Sequence, residues 1–247
     1  KVAKKCYLPT NKLLLELLEK HPKFKVAFSF SGVLLDQLEE FSPETLKSFQ
    51  KLVKTGRVEI LDETYYHSLT SLFEDPLRLE FREQASLHQY MMKRLFGIVP
   101  TSFRNTELMY NNPIAEAVAD MGYHSILCEK RDDMFSGEGE GEAVSPNAVF
   151  RARDTNLIVI PRNRELSDDI AFRFPHAPIT PETYAQYIAR VDGEAVMLGY
   201  DFEHIGEHIW SNLGIFDFWR GLPKALQKHE SIVAATPTEI AQRFKDA

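Results

Sequence analysis

Glu107 closes the run Phe103-Arg104-Asn105-Thr106-Glu107, and Asp201, Glu203, His204, Glu207 and His208 fall together in GYDFEHIGEH (199–208). Carboxylates so placed can do proton chemistry. Two carboxyl groups facing each other across a groove can cleave a glycosidic bond: one attacks or activates water while the other protonates the leaving oxygen. Burial and neighbouring charge separate the two pKa values, so that one carboxyl keeps its proton near neutral pH. If residues 195–203 form a strand, alternation puts Asp201 and Glu203 on one face and Tyr200 and Phe202 on the other. Acids at strand exits serve equally as caps and ion-pair partners, so spacing alone leaves both readings open.

Short β-branched or aromatic runs bounded by Gly, Pro, Asn or charge predict strands over 25–32, 58–64, 101–107, 124–129, 157–162, 195–203 and 231–237. Helical spacing, with Pro or acid at the start and Gly near the end, predicts helices over 12–21, 42–56, 76–97, 112–123, 180–193 and 237–247. A further helix over 215–229 is expected to be interrupted at Gly221-Leu222-Pro223. The alternation implies a parallel α/β architecture in one domain spanning 1–247. VFRARDTNLIVIPR (149–162) is the exception and reads as a hairpin. GEGEGEA (137–143) reads as a mobile acidic loop. A barrel built this way gathers its chemistry at the C-terminal ends of the strands. Those ends carry Glu63, Glu107, Glu129, Arg162, Asp201 with Glu203, and Thr236.

The chain has 247 residues, 44% of them hydrophobic, and a formal net charge of -7. That sign disfavours nucleic acid and anionic membrane as partners and leaves a neutral substrate unaffected. No apolar run has the length of a membrane span. Two cysteines, Cys6 and Cys128, suit packed, reduced thiols in the cytoplasm. The start KVAKKCYLP, with no methionine and no signal pattern, is what a piece of a longer protein would show.

FRNTELMYNN together with GYDFEHIGEH resembles family 57 of the glycoside hydrolases, in its α-amylase branch. The family's third signature ends on the nucleophilic Glu, as FRNTE does at Glu107. Its fourth, D-(Y/F)-E-x-x-G-E-H, is matched from Asp201 to His208, with Asp201 in the general acid/base position. GRVEILDETYYHS (56–68) is similar to the second signature, with Glu59 in the matching place. The resemblance implies an irregular (β/α)7 barrel of the type shared with polysaccharide deacetylases. It implies retaining chemistry on α-glucans or maltooligosaccharides, with no metal and no cofactor. The first signature, His-Gln-Pro, and the fifth do not occur within these residues, so a partial barrel without its first strand is expected.

The remaining candidates are substrate-binding positions. Arg104 precedes Glu107 by three residues, on the opposite face if the strand continues, and either contacts a sugar or holds a carboxylate. Glu59, inside a strand, needs a hydrogen-bond partner and is placed near the active end. Glu203 and His208 belong to the fourth signature. Trp210 offers a ring for stacking on a pyranose, or a core side chain. His67 either faces the site or is surface. His204 and His208 flank Glu207 in the inverted zinc-protease order, but Gly206 and the preceding strand deny that motif its helix.

The family resemblance leaves hydrolysis and 4-α-glucanotransfer open, since both use Glu107 and Asp201. A non-catalytic glucan-binding module is the rival from another class. A metal-dependent deacetylase is disfavoured by the lack of its Asp and spaced His pair.

Overall fold

The computed structural model describes residues 1–130 and 145–245. The predicted acidic loop at 137–143 lies outside these residues. The strands are β1 (Val26–Ser29), β2 (Val58–Leu61), β3 (Ser102–Arg104), β4 (Ser125–Glu129), β5 (Phe150–Arg151) and β6 (Ile158–Arg162). β1 pairs with β2 in parallel, and β3, β4 and β6 form a second parallel set. A parallel bridge from Asp62 to Phe103 joins the two sets into one row. β5 runs antiparallel to β6, which is the predicted hairpin.

Strands covered on both faces read as nearly continuous apolar runs, and SILCE and IVIPR do. Ile126, Cys128 and Val159 pack on one face with Phe81, Ile114 and Val118 from the helices α4 (Leu79–Phe96) and α5 (Asn112–Asp120). Leu61, Leu127, Ile158 and Ile160 pack on the other face with Ala241 from α9 (Pro237–Arg243). The β1–β2 end is filled by Phe28, Phe30 and Phe49, against α1 (Leu8–Lys20), α2 (Gly32–Phe41) and α3 (Pro43–Val53). The Phe30 and Phe49 rings meet edge to face at 4.8 Å. Each such buried ring contributes about 1.5–3 kcal/mol over an exposed one.

Helix starts follow the sequence signals. α5 opens with Asn111 accepting from the Ile114 amide at 2.8 Å, ahead of Pro113. Thr236 and Glu239 form a capping box at α9, with Pro237 between them. The short α6 (Arg164–Asp168) starts on Asn163, which accepts from the Leu166 amide at 3.0 Å, and α7 (Pro181–Ala189) repeats the α5 design with Thr180 as its cap. Each cap is worth about 1 kcal/mol.

Four expectations need correction. The run at 25–32 leaves the sheet at Ser29, and Gly32 opens α2, a helix not foreseen; a Cβ there would meet the Tyr65 ring at 2.4 Å. Residues 231–236 form no strand, and Val233 lies exposed without a partner strand. The run at 195–203 contributes only Met197, bridged to Arg162, before the chain turns away. α8 (Ile215–Leu226) continues through Gly221 and Pro223. Buried Phe218, Leu222 and Pro223 hold it in place. The bare Gly221 lets α7 close in, for a Cβ there would lie 2.8 Å from Pro181 Cγ. The row of strands stays open among the described residues, with β1 pairing to β2 alone.

Candidate active site

β3 ends at Arg104, and the chain then makes a tight 3₁₀ turn over Thr106–Leu108. Glu107 (φ 56°) and Leu108 (φ 54°) are both left-handed, a conformation that costs a non-glycine residue on the order of 1–3 kcal/mol. Buried Asn105 holds the turn. Its Nδ2 donates to Met109 O at 3.0 Å and to Ser71 Oγ at 2.9 Å, while its backbone carbonyl accepts from the Leu108 amide at 2.9 Å. Thr106 Oγ1 meets Thr64 Oγ1 at 2.9 Å, tying this exit to that of β2. The result lifts Glu107 into solvent, with its side chain 66% exposed.

The His67 ring reaches back to it. His67, itself left-handed at φ 52°, places Nε2 3.3 Å from Glu107 Oε1 and Nδ1 3.2 Å from Glu63 Oε1. Glu63 is 1% exposed. Its second oxygen accepts from Ser29 Oγ at 2.5 Å and from Arg104 Nη1 at 3.5 Å. Burial pushes the Glu63 carboxyl up, but hydrogen bonds from His67 and Ser29 and the charge of Arg104 outweigh it and hold it below the usual range. The hydrogen bond to Glu63 raises the His67 imidazole above its ordinary value, against partial burial and the Arg104 charge. Arg104 and Glu107 therefore converge on His67, although strand alternation predicted opposite faces. The strand has ended between them.

Behind this cluster, Asp62 and His88 are wholly buried. Asp62 Oδ1 takes the His88 Nδ1 hydrogen, Asp62 Oδ2 accepts from the Tyr123 hydroxyl at 2.7 Å, and His88 Nε2 donates to Phe30 O at 2.6 Å. This network fixes the ends of β1 and β2 immediately beside Glu63.

Asp201 follows Met197, which extends the row beyond β6, so it too lies past the strand exits. It lines a shallow depression of about 410 Å³ with Phe172, Pro175, His204 and His208. Residues 202–204 form a 3₁₀ turn, so the alternation expected for Asp201 and Glu203 does not hold. Phe202 turns inward to stack on Tyr7 at 6.0 Å, and Glu203 instead accepts from the Tyr7 hydroxyl. His204 Nδ1 donates to Asp201 O at 3.0 Å, and the His204 and His208 rings lie 5.1 Å apart. The loop is pressed onto the N-terminal helical turn: Gly206 adopts φ +102°, where a Cβ would stand 2.4 Å from Lys5 O. Trp210 is 62% exposed, with the Lys5 ammonium 5.9 Å from its ring centroid, and is not a core residue.

Glu59 is hydrogen-bonded, as a strand carboxylate must be, but at the other end of the sheet. Its oxygens accept from Thr238 N at 3.0 Å and Thr238 Oγ1 at 2.7 Å, beside Lys25 and Gly56 where β1 and β2 begin. It is separated from the exit end by the length of β2, and its neighbours are those of a helix cap. Among the described residues no group of three or more His, Cys, Asp or Glu side chains is placed to hold a metal ion. The sequence placed Glu63 at a strand exit without giving it a role, and left His67 open. Their i,i+4 spacing just beyond a strand exit was the available signal.

The model of the Glycosyl hydrolase family 57 matches residues 1–247. The chain belongs to that family. It is 42% identical over 250 residues to a Methanocaldococcus jannaschii protein named "Putative alpha-amylase", covering 99% of this chain and 51% of that protein. The chain thus spans about half the length of that family 57 relative. In fold it resembles the 4-alpha-glucanotransferase of Thermococcus litoralis, with a TM-score of 0.74 at 20% identity, over 99% of this chain and 37% of the other. It also resembles a "putative polysaccharide deacetylase" of Mycobacterium smegmatis, with a TM-score of 0.66 at 15% identity, over 98% and 79%. The fold is accordingly the mixed α/β type shared by family 57 and the polysaccharide deacetylases. No helix among the described residues is long and apolar enough to cross a membrane.

Proposed function

We propose that the protein carrying this chain hydrolyses α-glucosidic bonds of starch- or glycogen-type glucans with retention of configuration. Glu107 Oε2 attacks C1 as Asp201 gives its proton to the departing sugar oxygen. Asp201 then takes a proton from water, which attacks C1 and releases Glu107. The observation that carries this reading is the Glu107 turn. Two consecutive left-handed residues, braced by buried Asn105, present a carboxylate that is two-thirds exposed and meets the His67 ring at 3.3 Å. A helix cap or structural ion pair needs neither the strain nor the exposure.

Asp201, His208 and Phe172 line a depression suited to a pyranose, and exposed Trp210 adds a face for C–H packing. Retention requires the two carboxyls to stand about 5–5.5 Å apart when the glucan is bound. The neutral substrate is indifferent to the net charge, and the buried free thiols Cys6 and Cys128 suit a cytoplasmic setting.

The test is incubation of the full-length protein with a maltooligosaccharide of one length, with products resolved by mass. The expected outcome is shorter products only, abolished by Glu107→Gln with little change in melting temperature. Longer products as well would assign 4-α-glucanotransfer to the same residues. Turnover that survives Glu107→Gln would overturn the mechanism.

A further inference from the structure

We infer that His67 is a positioning residue, an imidazolium that fixes Glu107 Oε1 and leaves Oε2 as the attacking oxygen, while buried Glu63 holds it in place. The inference rests on the functional reading above. His67 faces a carboxylate oxygen at each ring nitrogen: Glu63 Oε1 at 3.2 Å from Nδ1 and Glu107 Oε1 at 3.3 Å from Nε2. A neutral imidazole has one N–H and would turn a lone pair toward one of these oxygens; only the doubly protonated ring donates to both.

Arg104 is the cation that faces the ring, with Nη1 3.5 Å from Nδ1. It opposes protonation of the ring but also lies 3.5 Å from Glu63 Oε2, where it shares the carboxylate's charge. Glu63 is nine-tenths buried and more, and Ser29 fixes its remaining oxygen, so its position is set from beneath. The left-handed backbone of His67 directs the ring outward from that anchor.

This arrangement acts in both halves of the reaction. As Oε2 bonds to C1 and the C1–O bond to the departing group breaks, Oε1 becomes the carbonyl oxygen of the glycosyl ester and keeps its N–H donor. When water attacks C1 and the C1–Oε2 bond breaks, the electron pair returns to a carboxylate already hydrogen-bonded by His67. In the first step the gain is one of position, since a misplaced attacking oxygen costs roughly a hundredfold in rate; in the second, charge develops on the departing carboxylate, where a preorganised donor is worth roughly as much.

The test is the rate at which 5-fluoro-α-glucosyl fluoride labels the full-length protein, with the labelled peptide identified by mass. Fluoride leaves without a proton from Asp201, so the first step reports Glu107 and its surroundings. The expected result is labelling of Glu107 that slows about a hundredfold in His67→Ala, where the attacking oxygen is no longer held in position, and recovers most of its rate in His67→Gln, which still donates. Labelling of the unsubstituted protein falls as pH rises through the elevated His67 value, whereas His67→Gln shows no such fall. Equal rates in His67→Ala, or the same alkaline fall in His67→Gln, would overturn the inference and leave the functional reading standing. No label at Glu107 in the unsubstituted protein would remove the functional reading, and the inference with it.

Discussion

Asp62→Asn tests whether the buried network behind the site holds a charge. In the native arrangement His88 meets an acceptor at both nitrogens, Asp62 on one side and the Phe30 carbonyl on the other, so it too is an imidazolium. Burial pushes its pKa down, but the hydrogen bond and charge of Asp62, the Phe30 carbonyl and the charge of Glu63 together raise it above the ordinary 6.5. Removing one partner of a buried ion pair costs about 3–5 kcal/mol. The amide oxygen of Asn still accepts one hydrogen bond, which favours the low end. About 3 kcal/mol corresponds to roughly 6–12 °C in Tm for a chain of this size. Scanning calorimetry across pH is the assay. A group with a raised folded pKa contributes stability that is fully present below 6.5 and is lost as pH rises through the folded value. The gap between unsubstituted protein and variant is therefore widest in mild acid and narrows in alkali. A gap below about 2 °C in mild acid, or one that does not change with pH, would refute the buried imidazolium.

Gly206→Ala should destabilise by about 2 kcal/mol or more, because the added Cβ meets the Lys5 carbonyl at 2.4 Å in a left-handed backbone; a melting curve checks it. Burial pushes the Cys6 and Cys128 thiols up to about 12, so neither should react with iodoacetamide in the native protein at neutral pH, and both should react once it is denatured, as mass spectrometry would show.

The sequence carried the parallel α/β order because strands such as SILCE and IVIPR are apolar on both faces and helices such as α5, α7 and α9 have Pro in the first turn after a capping residue. It marked Glu107 and Asp201 as candidates through the signatures that hold them. What it did not carry depends on where a strand stops. Alternation assigns faces only while the chain stays in the sheet. It left at Arg104 and after Met197, so the partners of Arg104 and Glu203 were misplaced. Glu63 and His67 come together with Glu107 across about 40 residues of sequence, a proximity that no local spacing encodes. Glu59 went astray for the complementary reason: its motif is local, but its hydrogen-bond partner is Thr238, 179 positions later.

That last contact has a bearing on how the chain reaches its native state. Thr238 also meets Thr101 Oγ1 at 2.8 Å and Ser102 Oγ at 3.0 Å, and Lys25 pairs with Glu239. The floor beneath β1, β2 and β3 is thus supplied by a helix made near the end of these residues. During synthesis the early strands emerge with Glu59 exposed and the Leu61 face uncovered, and they stay so until α9 arrives. Contacts of such high sequence separation slow folding. The strands β1–β3 should therefore acquire protease resistance only late, after α9 has docked.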